Sequence, residues 1–175
     1  MQSIPPSVTV VAVTKTFPFR VIEEAYHEGL RHIGENRVEE ARGKINEAQV
    51  KLLTGIVWHM IGHVQSRKVH EVAELFNWVD SVDSLKIVKK LDQAAQTTQK
   101  KLHILLEINL SGEETKYGFD LVDWENNPEK LQRYYETIHE SMKLKHIIIE
   151  GLMTMPPYVV NAEDNRPIFQ SMKRL

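Results

Sequence analysis

The chain contains no cysteine, which excludes disulfides, thiolate metal sites and cysteine nucleophiles together. Its first six residues form neither a basic nor an apolar segment, so no secretory signal is predicted there. No apolar run approaches the length needed to span a bilayer. These absences predict a cytoplasmic protein with no membrane partner.

An excess of positive charge is also missing. The 22 Lys and Arg residues are balanced by 24 Asp and Glu residues, and the formal net charge is -2. The basic residues are scattered among acidic ones, whereas nucleic-acid binding needs a basic patch. We therefore expect no nucleic-acid partner. A length of 175 residues predicts one domain, residues 1–175, with a substantial core.

Short apolar segments alternate with longer amphipathic segments six times along the chain. This alternation predicts an α/β fold in which helices cover a parallel sheet. Six strands fit a doubly wound open sheet, while a TIM barrel needs eight, and periodicity alone does not decide between them. The predicted strands are residues 8–15, 32–36, 57–62, 78–82, 102–110 and 146–155, and the predicted helices are residues 19–29, 38–50, 66–76, 84–98, 128–143 and 166–175.

Polar residues follow the apolar run of nearly every predicted strand. The carboxyl ends of parallel strands carry the functional site in α/β folds. In a barrel these residues would converge, whereas in an open sheet they would meet only where the strand order reverses. The pattern thus favours a barrel-type site, formed by Lys15, Glu35, Asn36, Gly62, His63, Ser81, Asp83, Asn109, Ser111 and Thr154.

Lys15 is the most unusual of these residues. It follows residues 8–14, which carry no charge, so we expect it to leave a buried strand and enter a confined space. Burial disfavours an ammonium group and favours the free amine that attacks aldehydes. The alternative is a lysine that extends into solvent at a strand end, and position alone favours that alternative.

Two histidines four residues apart, His59 and His63, suggest a zinc site. On a helix, both imidazoles would lie on one face. Here the segment is predicted to be a strand, Gly62 interrupts it, and no third ligand has suitable spacing. We therefore predict no metal.

Five blocks along the chain, in order and with consistent spacing, carry a resemblance to a known family. The chain resembles the YggS/PLPBP (PROSC-like) family of pyridoxal 5′-phosphate (PLP) homeostasis proteins, from about residue 7 to its last residue. No single block would decide this, but the ordered set is specific. The blocks are VAVTKTFP (11–18), GENRVEEA (34–41), WHMIGHVQSRKV (58–69), NLSGEETKYG (109–118) and GLMTM (151–155).

The resemblance implies a (β/α)8 barrel of the TIM-barrel type, similar to the N-terminal domain of alanine racemase. It implies PLP as cofactor, held as a Schiff base on Lys15. The family's extra first helix has no counterpart here, nor have its last two strands and the segment that binds the PLP phosphate. The expected barrel is therefore incomplete, with about six β-α units, truncated at its C-terminus, and its affinity for PLP lower than that of a longer chain.

Other cofactor contacts carry over to individual positions. Asn36 and Asn109 are expected to line the pocket, or else to cap the segments that follow them. Met153 and Met155 are expected to share one face of the last predicted strand and to pack on the pyridine ring, or else to fill the core. Lys116 corresponds to a basic position near the phenolic oxygen of the cofactor, and the alternative is a solvated loop lysine.

The expected function is PLP binding in vitamin B6 homeostasis without robust catalysis, with PLP-dependent apo-enzymes as possible recipients. Alanine racemase uses a second base from an additional domain, which this chain lacks, and stereospecific turnover needs such positioned groups. The first alternative is an amino-acid racemase or another PLP enzyme. The second is a cofactor-free scaffold that binds another phosphate ester.

Overall fold

The computed structural model describes residues 4–113 and 116–175. Seven parallel strands lie in one sheet, and α-helices connect most of them. Five of the strands are four or more residues long, and β6 has only two residues. The strands are β1 (Val11–Val13), β2 (His32–Glu35), β3 (Val57–Met60), β4 (Trp78–Val82), β5 (Leu102–Asn109), β6 (Phe119–Asp120) and β7 (Ile147–Met153).

Two of the helices begin at a residue whose side chain caps the first turn. The Ser84 hydroxyl accepts the Ile87 amide, and the Asn127 side chain accepts the Lys130 amide just ahead of Pro128. Each cap satisfies a backbone donor that the first turn leaves without a helical partner. The helices are α1 (Phe19–His27), α2 (Val38–Val50), α3 (Val69–Leu75), α4 (Leu85–Thr97), α5 (Pro128–Met142) and α6 (Arg166–Arg174).

The strand order decides between the two predicted architectures. The strands lie in the order β1-β2-β3-β4-β5-β7, and β6 pairs with the carboxyl end of β5. A doubly wound sheet reverses its strand order, whereas a barrel adds each strand beside the previous one. The open-sheet alternative is therefore wrong. In the described part of the chain, β1 and β7 are the two edges of an incomplete barrel-type sheet.

Strand β1 is shorter than predicted. The sequence predicts residues 8–15, but the strand comprises Val11–Val13, and Val8, Val10 and Val13 are all exposed. The apolar run predicts a buried strand, but β1 is an edge strand in the described residues. The last strand is also shorter than predicted, since β7 ends at Met153.

The face of the sheet that the helices cover forms the hydrophobic core. Ile33, Val79 and Ile104 lie on adjacent or nearby strands and are 0–1% exposed. Leu91 of α4 and Val72 of α3 belong to the same buried cluster. Successive residues of a strand point to opposite faces of the sheet. The strand residues that alternate with this core therefore point to the other face, which we call the inner face.

The inner face carries a row of imidazole and indole rings across four adjacent strands. His59 stacks on Trp78 with ring centroids 5.3 Å apart, and Trp78 stacks on His103 at 5.0 Å. His32 Nδ1 lies 2.9 Å from His59 Nε2, and His59 Nδ1 lies 2.9 Å from Asp80 Oδ2. Burial lowers the pKa of His32, and the neighbouring His59 lowers it further.

Candidate functional site

Lys15 lies in a tight turn directly after β1. The Phe17 amide donates to the Thr14 carbonyl at 3.0 Å and closes this turn. Thr16, the residue after the lysine, has a φ of +66°, in the left-handed region. Lys15 itself is exposed. The prediction of a lysine in a confined space is therefore wrong for this structure, because β1 is an edge strand that ends two residues earlier.

A buried charge network underlies the Lys15 turn. The Glu35 carboxylate is fully buried and accepts the Thr14 hydroxyl at 2.5 Å and the Lys44 ammonium at 2.8 Å. Lys44 also donates to the Thr14 carbonyl at 2.8 Å and to Glu40 at 2.6 Å. Glu40 in turn accepts the Thr16 amide at 2.7 Å. We call Glu35, Lys44 and Glu40 the anchor network.

Sequence reasoning missed two members of the anchor network. Glu40 and Lys44 are four residues apart on α2, the spacing that pairs side chains on one helix face. The sequence shows that spacing, but acid–lysine pairs four residues apart are also common on exposed helix surfaces. The apolar residues next to them, Ala41 and Ile45, are both buried and could have indicated that this pair lies on a buried helix face.

Asn36 directly follows the carboxyl end of β2. The register pairs Val13 with Gly34, so Lys15 and Asn36 each lie two residues beyond this pair, in the segments that leave two adjacent strands. A Cβ atom at Gly62 would lie 2.4 Å from the Asn36 carbonyl oxygen, so only glycine allows the two loops to approach this closely. The Ser81 hydroxyl donates to the Gly62 carbonyl at 2.6 Å and fixes it further. Asn36 lines a cavity of about 350 Å³.

A second cluster lies farther along the same rim. His63 Nδ1 lies 2.9 Å from Asp83 Oδ2, and the His63 ring stacks on Tyr117 with ring centroids 3.7 Å apart. Lys116 is largely buried and forms an ion pair with Glu113, so it is not the solvated lysine of the alternative interpretation. The same pairing lowers the pKa of Glu113.

Glu107 adds an acidic group to this rim. It lies near the end of β5 and is 6% exposed. Burial raises the pKa of Glu107, and the negative charge of Asp83 raises it further. Gly118 is the residue before β6, and a Cβ atom at this position would lie 2.8 Å from the Glu107 carbonyl oxygen. This close backbone approach brings β6 against the end of β5.

The Asn109 amide is occupied by its own loop. Its oxygen accepts the amides of Ser111 and Gly112 at 3.1 Å, and its nitrogen donates to the Glu113 carbonyl at 3.2 Å. These are the contacts of the capping alternative. They leave the amide few free positions for a ligand.

The two methionines at the end of β7 do not share a strand face. Met153 is the last residue of the strand and is partly buried, whereas Met155 lies beyond it and is 59% exposed. The expectation that they share a face is wrong, because the strand stops before Met155. Thr154 between them donates to the Ile108 carbonyl at 2.8 Å.

The predicted site residues lie along the carboxyl end of the sheet, but separate cavities divide them. Asn36 and His63 line one cavity, while His63, Asp83 and Lys116 line a second cavity of about 430 Å³. His63 is shared between the two. A single cavity around Lys15, Asn36, Asn109 and Met153 stays a prediction.

The imidazoles have partners other than a metal. His59 lies between His32 and Asp80 on the inner face, and His63 pairs with Asp83 at the rim. Within residues 4–113 and 116–175, no three acidic or imidazole side chains are grouped as a metal site would require. None of the helices described there is long and apolar enough to cross a membrane.

Comparison with known proteins relates this geometry to a family. The sequence profile of the alanine racemase N-terminal domain matches residues 1–175. The chain belongs to this family. A pyridoxal phosphate homeostasis protein of Synechocystis sp. is 39% identical over 175 residues, which are all of this chain and 75% of that protein.

Solved structures agree with this assignment. PipY of Synechococcus elongatus, solved with PLP bound, is 32% identical and superposes with a TM-score of 0.83 over 98% of this chain and 74% of its own. Alanine racemase of Clostridium difficile in complex with cycloserine is 17% identical, with a TM-score of 0.71 over 98% of this chain and 45% of its own. The latter likeness supports the barrel-type fold alone. Together they confirm the predicted family and fold class.

Proposed function

We propose that this chain binds PLP as a Schiff base on Lys15 and takes part in PLP homeostasis in the cytoplasm, with PLP-dependent apo-enzymes as recipients. The observation that carries the proposal is the placement of Lys15. Its exposed amine extends from a hydrogen-bonded turn at the carboxyl end of β1, the rim that carries functional sites in barrels. Kinship with pyridoxal phosphate homeostasis proteins and with PLP-bound PipY supplies the ligand class.

The residues around Lys15 fit an aldehyde cofactor. Lys15 would hold the cofactor through its amine, and the cofactor would supply an aldehyde with which an unprotonated amine condenses to a C=N bond with release of one water. Asn36, in the segment that follows the neighbouring strand, would offer an amide to cofactor oxygens. We propose supporting contacts from Lys116 and Met153 at the same rim. Asn109 and Met155 are weaker candidates, because the former caps its loop and the latter is exposed.

The proposed role is binding and release rather than turnover. The relatives' name, homeostasis protein, favours this role over that of a racemase. The enzyme alternative predicts steady racemisation of alanine or serine by the PLP-loaded protein. The cofactor-free alternative predicts a protein that stays colourless when PLP is added.

A PLP titration followed by visible absorption tests the proposal. We expect the wild-type protein to develop a Schiff-base band and Lys15→Ala to develop none. Lys86→Ala is the matched control, because Lys86 also follows a strand at this rim, in the first turn of α4. Bands of equal strength in wild type and Lys15→Ala would refute the assignment.

A further inference from the structure

The residue after Lys15 holds a backbone conformation that its side chain disfavours. Thr16 has a φ of +66°, and this region is costly for a β-branched residue. Such conformations persist where surrounding contacts enforce them, and they are concentrated at functional sites. The contacts that enforce this one come from α2 rather than from the turn alone.

Thr14 and Thr16, the two neighbours of Lys15, both form hydrogen bonds with the charged side chains of the anchor network. On one side, the Thr14 carbonyl accepts the Lys44 ammonium at 2.8 Å, and the Thr14 hydroxyl donates to Glu35 at 2.5 Å. On the other side, the Thr16 amide donates to Glu40 at 2.7 Å. Lys44 links the two sides, since it bonds both carboxylates.

The charge of Glu40 favours its hydrogen bonds to Lys44 and to the Thr16 amide. The hydrogen bond from Lys44 lowers the pKa of Glu40, and the Thr16 amide contributes to the same shift. Glu40 is therefore a carboxylate at neutral pH and a strong acceptor for a backbone amide. The Lys15 side chain takes no part in these bonds, so the network fixes its backbone without occupying its amine.

We propose that Glu35, Lys44 and Glu40 are positioning residues, which fix the turn so that the Lys15 amine meets an aldehyde in one orientation. This inference rests on the proposed function, because the aldehyde is that of PLP. None of the three touches the reacting atoms. Their effect is to fix in advance a turn that would otherwise relax away from the left-handed conformation, and such preorganisation raises the rate of attack.

Glu40→Ala tests the network with two readouts. The first is hydrogen exchange of the Thr16 amide without PLP, measured by NMR. The second is the rate at which PLP becomes attached to Lys15, trapped by borohydride and located by peptide mapping. Losing a charge-assisted hydrogen bond should speed the exchange about tenfold and slow the attachment by a similar factor. Glu39→Ala is the matched control, because the adjacent Glu39 pairs with Lys68 instead.

Two rescue variants separate positioning from simple destabilisation. Glu40→Gln keeps an acceptor of the same shape and should restore part of both rates. In the Glu40→Ala background, Thr16→Gly should restore part of the attachment rate, because glycine adopts a positive φ without strain. A general loss of stability would give no such rescue.

The outcomes also distinguish this inference from the proposed function. If Glu40→Ala matches wild type and Glu39→Ala in both readouts, the network does not position the turn and the inference is wrong. If wild type attaches no PLP to Lys15, the proposed function fails, and exchange of the Thr16 amide alone decides whether the network holds the turn.

Discussion

Replacing Lys44 with methionine should be the most damaging single change near the site. The Lys44 side chain is 8% exposed, and its ammonium makes bonds of 2.6–2.8 Å to three oxygens. Without it, the fully buried Glu35 carboxylate keeps only the Thr14 hydroxyl as a hydrogen-bond donor among the described residues. Breaking a buried ion pair in this way costs about 3–5 kcal/mol in the free energy of unfolding. For a domain of this size the midpoint of thermal unfolding should fall by roughly 6–20 °C.

Urea unfolding and calorimetry measure this loss against two controls. Lys51→Met removes an exposed pair with Glu23 and should cost much less. The double variant Glu35→Leu with Lys44→Met removes both buried charges, and it should recover most of the stability lost by Lys44→Met alone. If Lys44→Met costs no more than Lys51→Met, the anchor network contributes little and the reasoning is refuted.

Two further changes test the rim. Gly62→Ala places a Cβ atom 2.4 Å from the Asn36 carbonyl and should lower the free energy of unfolding by about 1–3 kcal/mol, whereas Gly43→Ala, with open space around it, should raise it by about 1 kcal/mol. Denaturant titration of the two variants gives the sign of each change. Glu107 has a raised pKa in the folded state, so its ionisation costs stability as pH rises through that value. Glu107→Gln should therefore stabilise the protein at pH 7 and lose that advantage below about pH 4; an equal effect at both pH values would contradict the raised pKa.

The sequence predicted the helices better than the edges of the sheet. The predicted helix 38–50 agrees with α2 at both ends, and the predicted strand 78–82 agrees with β4. Periodicity works there because each element buries a definite face in one core. It failed at β1 and at the end of β7, because an apolar run looks the same whether or not a neighbouring strand covers it. The two-residue β6 is too short for any periodic signal.

The site was predicted in part. Position at strand ends placed Lys15 and Asn36 on one rim, because parallel strands end on the same side. Position at a strand end could not show that the Asn109 side chain forms hydrogen bonds with the loop that follows it, since these bonds depend on the backbone path of that loop. It also missed Lys44, because a charged residue on a helix is normally at the surface.

The location of the covalent adduct tests the central claim most directly. The protein is loaded with PLP, reduced with borohydride and digested, and the modified peptides are identified by mass spectrometry. The account predicts one dominant label, on Lys15 within residues 11–20. A label found mainly on Lys116 or Lys68 would contradict it.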